Sequence, residues 1–119
     1  MKALIDTNVI LDAIAAREPF RRDAEKIIML IAAEEAEGYI TANSVTDIYY
    51  IARKHLPEND AREALRRLFC VFSIIDVRGD DCLSALSLPV DDFEDAVLTV
   101  CGYRAGVDLT VVPENFCNL

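Results

Sequence analysis

Lys2-Ala3-Leu4-Ile5-Asp6-Thr7-Asn8 is the stretch on which the reading of this chain turns. Ala3-Leu4-Ile5 is a short apolar run, and Asp6-Thr7-Asn8 follows at once, the pattern of a buried strand that ends in a polar turn. A carboxylate placed directly after a buried strand is costly unless it is solvated, hydrogen-bonded or bound to a cation. Two readings compete for Asp6. It either caps a helix that begins near Asn8 or belongs to a functional site. Thr7 and Asn8 can both cap, so the capping role does not need Asp6, and the functional reading is preferred.

Outward from that stretch, strand and helix patterns alternate. Val9-Ile10-Leu11 with Ala13-Ile14 predicts a short helix stopped before Pro19. From Phe20 to Glu37, Ala24, Ile27, Ile28, Leu30, Ile31 and Ala32 recur at helical spacing, and Gly38 is expected to terminate that helix. Tyr39-Ile40-Thr41 reads as a strand. Ser44 is expected to cap the next helix, with Asp47 three residues on in the capping-box place, and that helix runs to His55 before Pro57. Asn59 or Asp60 starts another. Val71 to Val77 predicts a third strand, and a short helix from about Asp80 to Leu88 ends at Pro89. A helix from Asp91 or Asp92 runs to Gly106, and Leu109 to Val112 is the last strand. Such alternation predicts an α/β fold with a parallel sheet covered on both faces. Ligands of such sheets collect outside the C-terminal ends of the strands, where Asp6 lies.

Composition narrows the function classes. At 119 residues the chain is expected to be one domain. With 53% apolar and 28% charged residues it is a folding sequence rather than a disordered one. No apolar run approaches the roughly 20 residues that span a bilayer. The N-terminus lacks the features of a signal peptide, so the expected location is the cytoplasm, away from any membrane. Cys70, Cys82, Cys101 and Cys117 are widely spread, with no C-x-x-C pair; four mostly buried thiols are expected rather than a zinc site or disulfides. The net charge of -9 points away from a protein that grips nucleic acid with its whole surface. Either the acids are concentrated in a cation site that meets the phosphate, or nucleic acid is not the partner.

The positions of the acids decide. Asp47 lies one turn into its helix, with capping as the competing reading. Asp95 follows Asp91, Asp92 and Glu94; the group complements a helix dipole, but four acids in five residues exceed that need and repel one another without a cation. Asp95 continues into apolar Ala96 and Val97, so it is expected to face the protein body. Asp12 reads as a solvated helix residue. Three acids brought together would make an oxygen-ligand site for Mg2+ or Mn2+, able to activate water and stabilise an in-line attack on phosphorus. Ser44 and His55 are too weak a pair for a nucleophilic triad, and His55 reads as a surface residue.

Three segments carry a resemblance: Leu4-Ile5-Asp6-Thr7-Asn8-Val9-Ile10-Leu11-Asp12, Ser44-Val45-Thr46-Asp47-Ile48-Tyr49-Tyr50-Ile51, and Asp92-Phe93-Glu94-Asp95-Ala96-Val97-Leu98. In this order and spacing they resemble the PIN-domain family, in particular the VapC-like toxins of bacterial toxin–antitoxin pairs. The resemblance implies a three-layer α/β/α fold with a parallel sheet and a pocket of three or four acids. It also implies Mg2+- or Mn2+-dependent cleavage of RNA, and often a homodimer silenced by an antitoxin protein. Carried over by motif, the acids are Asp6, Asp47 (where the wider family more often has glutamate) and Asp95, with Asn8 and Asp92 as additional candidates.

The end of the chain departs from the family pattern. Thr110-Val111-Val112-Pro113-Glu114-Asn115-Phe116 lacks the Thr-Arg-Asn piece, and Asn115 stands where an aspartate is expected. Either Glu114 substitutes or the fourth group is absent. The expectation is a single PIN-like domain over residues 1–119, shortened at its C-terminus.

For gripping RNA the cations in view are Arg17, Arg21 and Arg22, Arg62, Arg66 and Arg67, and Arg53 with Lys54, the last two preferred. Solvated helix faces account for most of these equally well. The leading reading is a metal-dependent endoribonuclease acting as a toxin. The alternative is a catalytically weakened PIN domain serving as a protein-binding module, supported by the altered C-terminus and by apolar surface on the Ile48, Tyr49 and Ile51 helix. A metal-dependent phosphatase is disfavoured, because Asp6-Thr7-Asn8 lacks a D-x-D nucleophile motif.

Overall fold

The computed structural model describes residues 1–113. In chain order the elements are β1 (Lys2–Ile5), α1 (Thr7–Ile14), α2 (Arg21–Ala32), β2 (Glu37–Thr41), α3 (Ala42–Arg53), α4 (Glu58–Val71), β3 (Phe72–Ile75), α5 (Gly79–Ala85), α6 (Phe93–Ala105) and β4 (Leu109–Val111). The strands form a parallel sheet in the order β3-β2-β1-β4, so β1 sits inside it with Ala3 opposite both Gly38 and Leu109.

The period-2 alternation of β1 builds the layers. Ala3 and Ile5 point into a core shared with Val9, Ile10, Ile31, Ile48 and Leu68 from α1 to α4. Leu4, between them, points to the opposite face and packs with Ala85, Ala96, Val97 and Cys101 from α5 and α6. Leu4 and Ile5 are both fully buried, and each such side chain stabilises the fold by about 1.5–3 kcal/mol through apolar burial. The result is the three-layer α/β/α arrangement the sequence implied. Among the described residues no helix is long and apolar enough to cross a membrane.

Several local expectations are corrected. Gly38 does not end α2; it lies within β2, paired with Ala3 and Phe72. A Cβ there would stand 2.6 Å from Ile31 Cγ2 and 2.8 Å from the Phe72 ring, so the glycine lets α2 and β3 close on the strand. Ser44 is not a helix cap, because α3 begins at Ala42. It is instead buried and bonded to two other hydroxyls, accepting from Thr7 Oγ1 at 2.6 Å and lying 2.9 Å from Thr41 Oγ1. Val71 ends α4 rather than opening β3. Of the cysteines, Cys101 is buried but Cys70 and Cys82 are exposed, and Cys117 lies outside the described residues. α6 does end as expected, on Gly106 with φ 73, a left-handed position that glycine takes without a Cβ penalty.

Candidate active site

Asp6 leaves β1 at its C-terminal end and is tied on both sides. Its backbone N–H donates to the Val111 carbonyl at 2.9 Å, and its Oδ2 accepts from the Asn8 N–H at 2.9 Å. Asp6 is therefore the cap of α1 after all, and Thr7 and Asn8, expected as alternative caps, are already helical. Capping does not compete with a role in the site; it fixes the direction of the carboxylate. The Thr7–Ser44–Thr41 hydroxyl chain then pins the start of α1 to the start of α3.

Asp92 does the same for α6. Its Oδ1 accepts from the N–H of Glu94 at 2.8 Å and of Asp95 at 3.2 Å. Both caps bring their carboxylates to one open cleft of about 560 Å³ outside the ends of β1 and β4, lined by Asp6, Asn8, Asp12, Arg17, Asp92 and Asp95 among others. Asp95 thus joins Asp6, although it is exposed at the cleft rather than turned into the protein body.

Asp47 lies beyond the first turn of α3, so its capping reading falls with that of Ser44. It lines a second, smaller cleft of about 300 Å³ together with Asn8, Tyr50, Lys54 and Glu94. Asn8 borders both hollows. Glu94 connects them electrostatically: partial desolvation first, then the charges of Asp47, Asp92, Asp6 and Asp95, push its carboxyl above the usual range. Nothing local in the sequence singles Glu94 out from its acidic neighbours. Consecutive helical residues diverge by about 100° around the axis, which explains how Glu94 and Asp95, side by side in sequence, line different clefts.

Asp12 was expected to be solvated and is instead buried, with its Oδ1 3.0 Å from Arg17 Nε. Lys54 borders the second cleft, whereas Arg53 donates through Nη1 to the Leu56 carbonyl at 2.9 Å. Arg21 pairs with Glu25, Arg62 with Glu58, and Arg66 and Arg67 with Glu63, all on exposed helix faces. The apolar face expected on α3 is largely covered, with Ile48 buried and Tyr49 and Ile51 half-buried. Glu114 and Asn115 lie outside the described residues.

A second gathering of carboxylates lies away from these clefts. Asp81 of α5 is buried and receives Arg104 Nε at 3.0 Å and Nη2 at 2.8 Å. The same guanidinium reaches Asp76 Oδ1 at 3.1 Å and the Asp76 carbonyl at 2.6 Å. Arg104, with the Arg78 N–H adding to it, holds the Asp81 carboxyl down to about 2. Burial pushes the adjoining Cys101 thiol up to about 11.

A parallel sheet with acids gathered at the ends of β1 and β4 defines the class, and the sequence comparison names it: the chain belongs to the PIN domain family, whose model matches residues 2–115. No curated protein matches the sequence. Among solved structures the chain is similar to the Mycobacterium tuberculosis toxin VapC20, which cleaves the sarcin–ricin loop, with a TM-score of 0.70 at 15% identity over 98% of this chain and 93% of that one. It is also similar to VapBC2 of Rickettsia felis bound to a DNA fragment from its promoter, with a TM-score of 0.67 at 15% identity over 99% of this chain and 92% of that one. A toxin–antitoxin complex from Klebsiella pneumoniae gives a TM-score of 0.66 at 22% identity, over 93% and 97% of the two chains.

Proposed function

We propose that the protein is a metal-dependent endoribonuclease of PIN type and the toxin of a toxin–antitoxin pair. The observation that carries this reading is the single cleft in which Asp6, Asp92, Asp95 and Asn8 meet, in a chain of the PIN family. Its donors are all hard oxygens, the set that suits Mg2+ or Mn2+ rather than a thiophilic ion. The Glu94 carboxyl is raised first by partial desolvation and then by the charges of Asp47, Asp92, Asp6 and Asp95, and a cation would relieve the second of these. Among the described residues, no three of the His, Cys, Asp and Glu side chains stand close enough to hold an ion by themselves. An ion bound here would therefore take one or two carboxylates from the described residues and complete its shell with water.

When bound, such an ion supplies a polarised phosphate and a water of lowered pKa. The chain's own contribution is orientation. Asp6 and Asp92 are aimed by the N–H groups they cap, Asp95 lies one helical turn beyond the cap, and Asn8 adds a neutral amide between the two clefts. Glu94 and Asp47 extend the negative field towards Lys54. Support for a protein partner comes from two of the similar structures, which are complexes of toxin with antitoxin. On that basis an antitoxin is the proposed partner; a second copy of the chain, as the family resemblance implies, and a cytoplasmic location are proposed beside it.

The test combines calorimetry with cleavage. Wild type is expected to bind Mn2+ and cut RNA in its presence, while Asp6→Asn loses the ion and Asp95→Asn loses about a hundredfold or more in rate, the scale of metal-assisted charge stabilisation. A wild-type protein that binds no Mn2+ and cuts no RNA would sink the proposal. Cleavage that survives Asp95→Asn unchanged would mean the site is misassigned.

A further inference from the structure

Among the described residues lining the main cleft, Arg17 is the one cation. Its place is set by the way α1 ends. Ala16 turns left-handed with φ 52, and this brings the Arg17 N–H to the Asp12 carbonyl at 3.0 Å, the six-to-one closure of a Schellman terminus. The side chain returns to the same residue, with Nε 3.0 Å from Asp12 Oδ1. Nη2 donates to the Asn8 carbonyl at 3.2 Å and approaches the Asn8 amide oxygen at 3.4 Å. The Asp12 side chain is only 6% exposed, the Arg17 side chain 42%. The anchor is buried and the arginine side chain is only partly covered. Nε and Nη2 make these contacts, and Nη1 carries two further donors of the five in a guanidinium.

Phe20, the residue preceding α2, lines the same cleft and is 38% exposed. A partly exposed ring that lines the same cleft as an oriented guanidinium suits single-stranded nucleic acid, whose bases stack on aromatic faces while the backbone meets the cation. Standing next to the acids, the pair would hold the nucleotide adjacent to the bond being cut. We infer that Arg17 binds a backbone phosphate of single-stranded RNA flanking the scissile one and that Phe20 stacks the neighbouring base. The inference rests on the nuclease reading and specifies its substrate grip. The competing explanation is that Arg17 merely neutralises buried Asp12.

Removing the ion pair as a unit separates the two. Asp12→Asn with Arg17→Gln leaves the net charge unchanged and leaves no buried carboxylate at position 12 without its cation. Binding of a short fluorescein-labelled oligouridine is followed by anisotropy across a salt series, in an Asp95→Asn parent so that the probe survives. The double variant is expected to bind about tenfold more weakly, the worth of a charged hydrogen bond. Its plot of log affinity against log salt should be shallower by about 0.7, one phosphate contact on a single strand. Phe20→Leu should lose about fivefold or more with the salt slope unchanged.

Parent-like affinity and slope in the double variant would overturn the phosphate grip, and parent-like affinity in Phe20→Leu would overturn the stacking. A parent that binds no probe overturns both. If the double variant does not fold, Arg17→Lys, which keeps the charge beside Asp12 but loses the planar fork, replaces it: weaker binding at an unchanged slope supports the grip, and parent-like affinity overturns it. Failure of the nuclease reading is seen separately, as absent Mn2+ binding and absent cleavage in wild type.

Discussion

The chain gathers carboxylates in two regions, and the difference between them separates structure from function. Around α5 and α6, Asp76 and Asp81 converge on Arg104, and Asp81 falls to about 2 as that guanidinium bonds it. In the paired clefts, Asp6, Asp47, Asp92 and Asp95 stand around Glu94, and desolvation first, with their charges adding to it, moves its carboxyl the other way. Like residues thus report opposite surroundings. The first region is complete within the chain: acid, cation and backbone carbonyl are all present. In the second, acids collect around open hollows at the C-terminal ends of strands, where α/β sheets take their ligands. Such an accumulation costs folding energy unless something from outside relieves it.

The largest effect on stability should come from breaking the complete region. Arg104→Gln leaves buried Asp81 without its cation, a strongly destabilising change, so the thermal midpoint should fall by several degrees while RNA cleavage by the folded enzyme stays at the wild-type rate. The pH dependence carries a sign. The folded-state pKa of Asp81 lies below its unfolded value, so its contribution is present above about pH 4 and is lost as pH falls towards about 2. Wild type should lose stability across that window, and Asp81→Asn should lose less, when both are followed by circular dichroism. A cleavage rate that drops in Arg104→Gln at a temperature where it is still folded would erase the distinction between the regions.

What was legible in the sequence follows the same division. The layers could be read because strand and helix patterns alternate along the chain and because Asp92 and Gly106 punctuate α6 by local rules. The main cleft could be read in outline, since Asp6 and Asp95 sit at element ends and the family motifs point to them. What escaped was fixed by contacts distant in sequence or by helical phase. Gly38 looked like a helix terminator, but the closeness of Ile31 and Phe72 makes it a strand residue. Asp12 looked solvated because nothing local shows that the turn after α1 brings Arg17 back over it. Glu94 does not stand out beside Asp95 because their divergence around α6 depends on where the helix starts, and the sequence offers both Asp91 and Asp92 for that start.

Glu94→Gln probes the incomplete region with a smaller effect. The folded-state pKa of Glu94 is raised, so its stabilising contribution is present below the unfolded value and is lost as pH rises through the folded one. Wild type and variant should therefore have similar stability near pH 4 and diverge above it, with the variant the more stable by no more than about 1 kcal/mol, the ceiling for exposed charges. Mn2+ should reverse the order, because wild type keeps the additional charge that attracts the ion. A variant less stable than wild type at neutral pH without metal would show that Glu94 is held by a favourable contact and not by repulsion.

The smallest effect lies at the hinge between the two kinds of region, where a buried acid and its cation border the open cleft. Ala16 at φ 52 and Glu34 at φ 62 both occupy left-handed positions without being glycine. An L-residue there costs about 1–2 kcal/mol, and glycine returns roughly 0.5–1 kcal/mol of that as added entropy of the unfolded chain. Ala16→Gly should therefore stabilise by about 0.5–1 kcal/mol in urea titration, and Glu34→Gly, in the turn after α2 and away from the main cleft, should do the same. The pair separates backbone strain from site geometry. If Glu34→Gly stabilises and Ala16→Gly does not, the Arg17–Asp12 contacts depend on the alanine, and the turn after α1 is part of the site rather than a neutral connection to it.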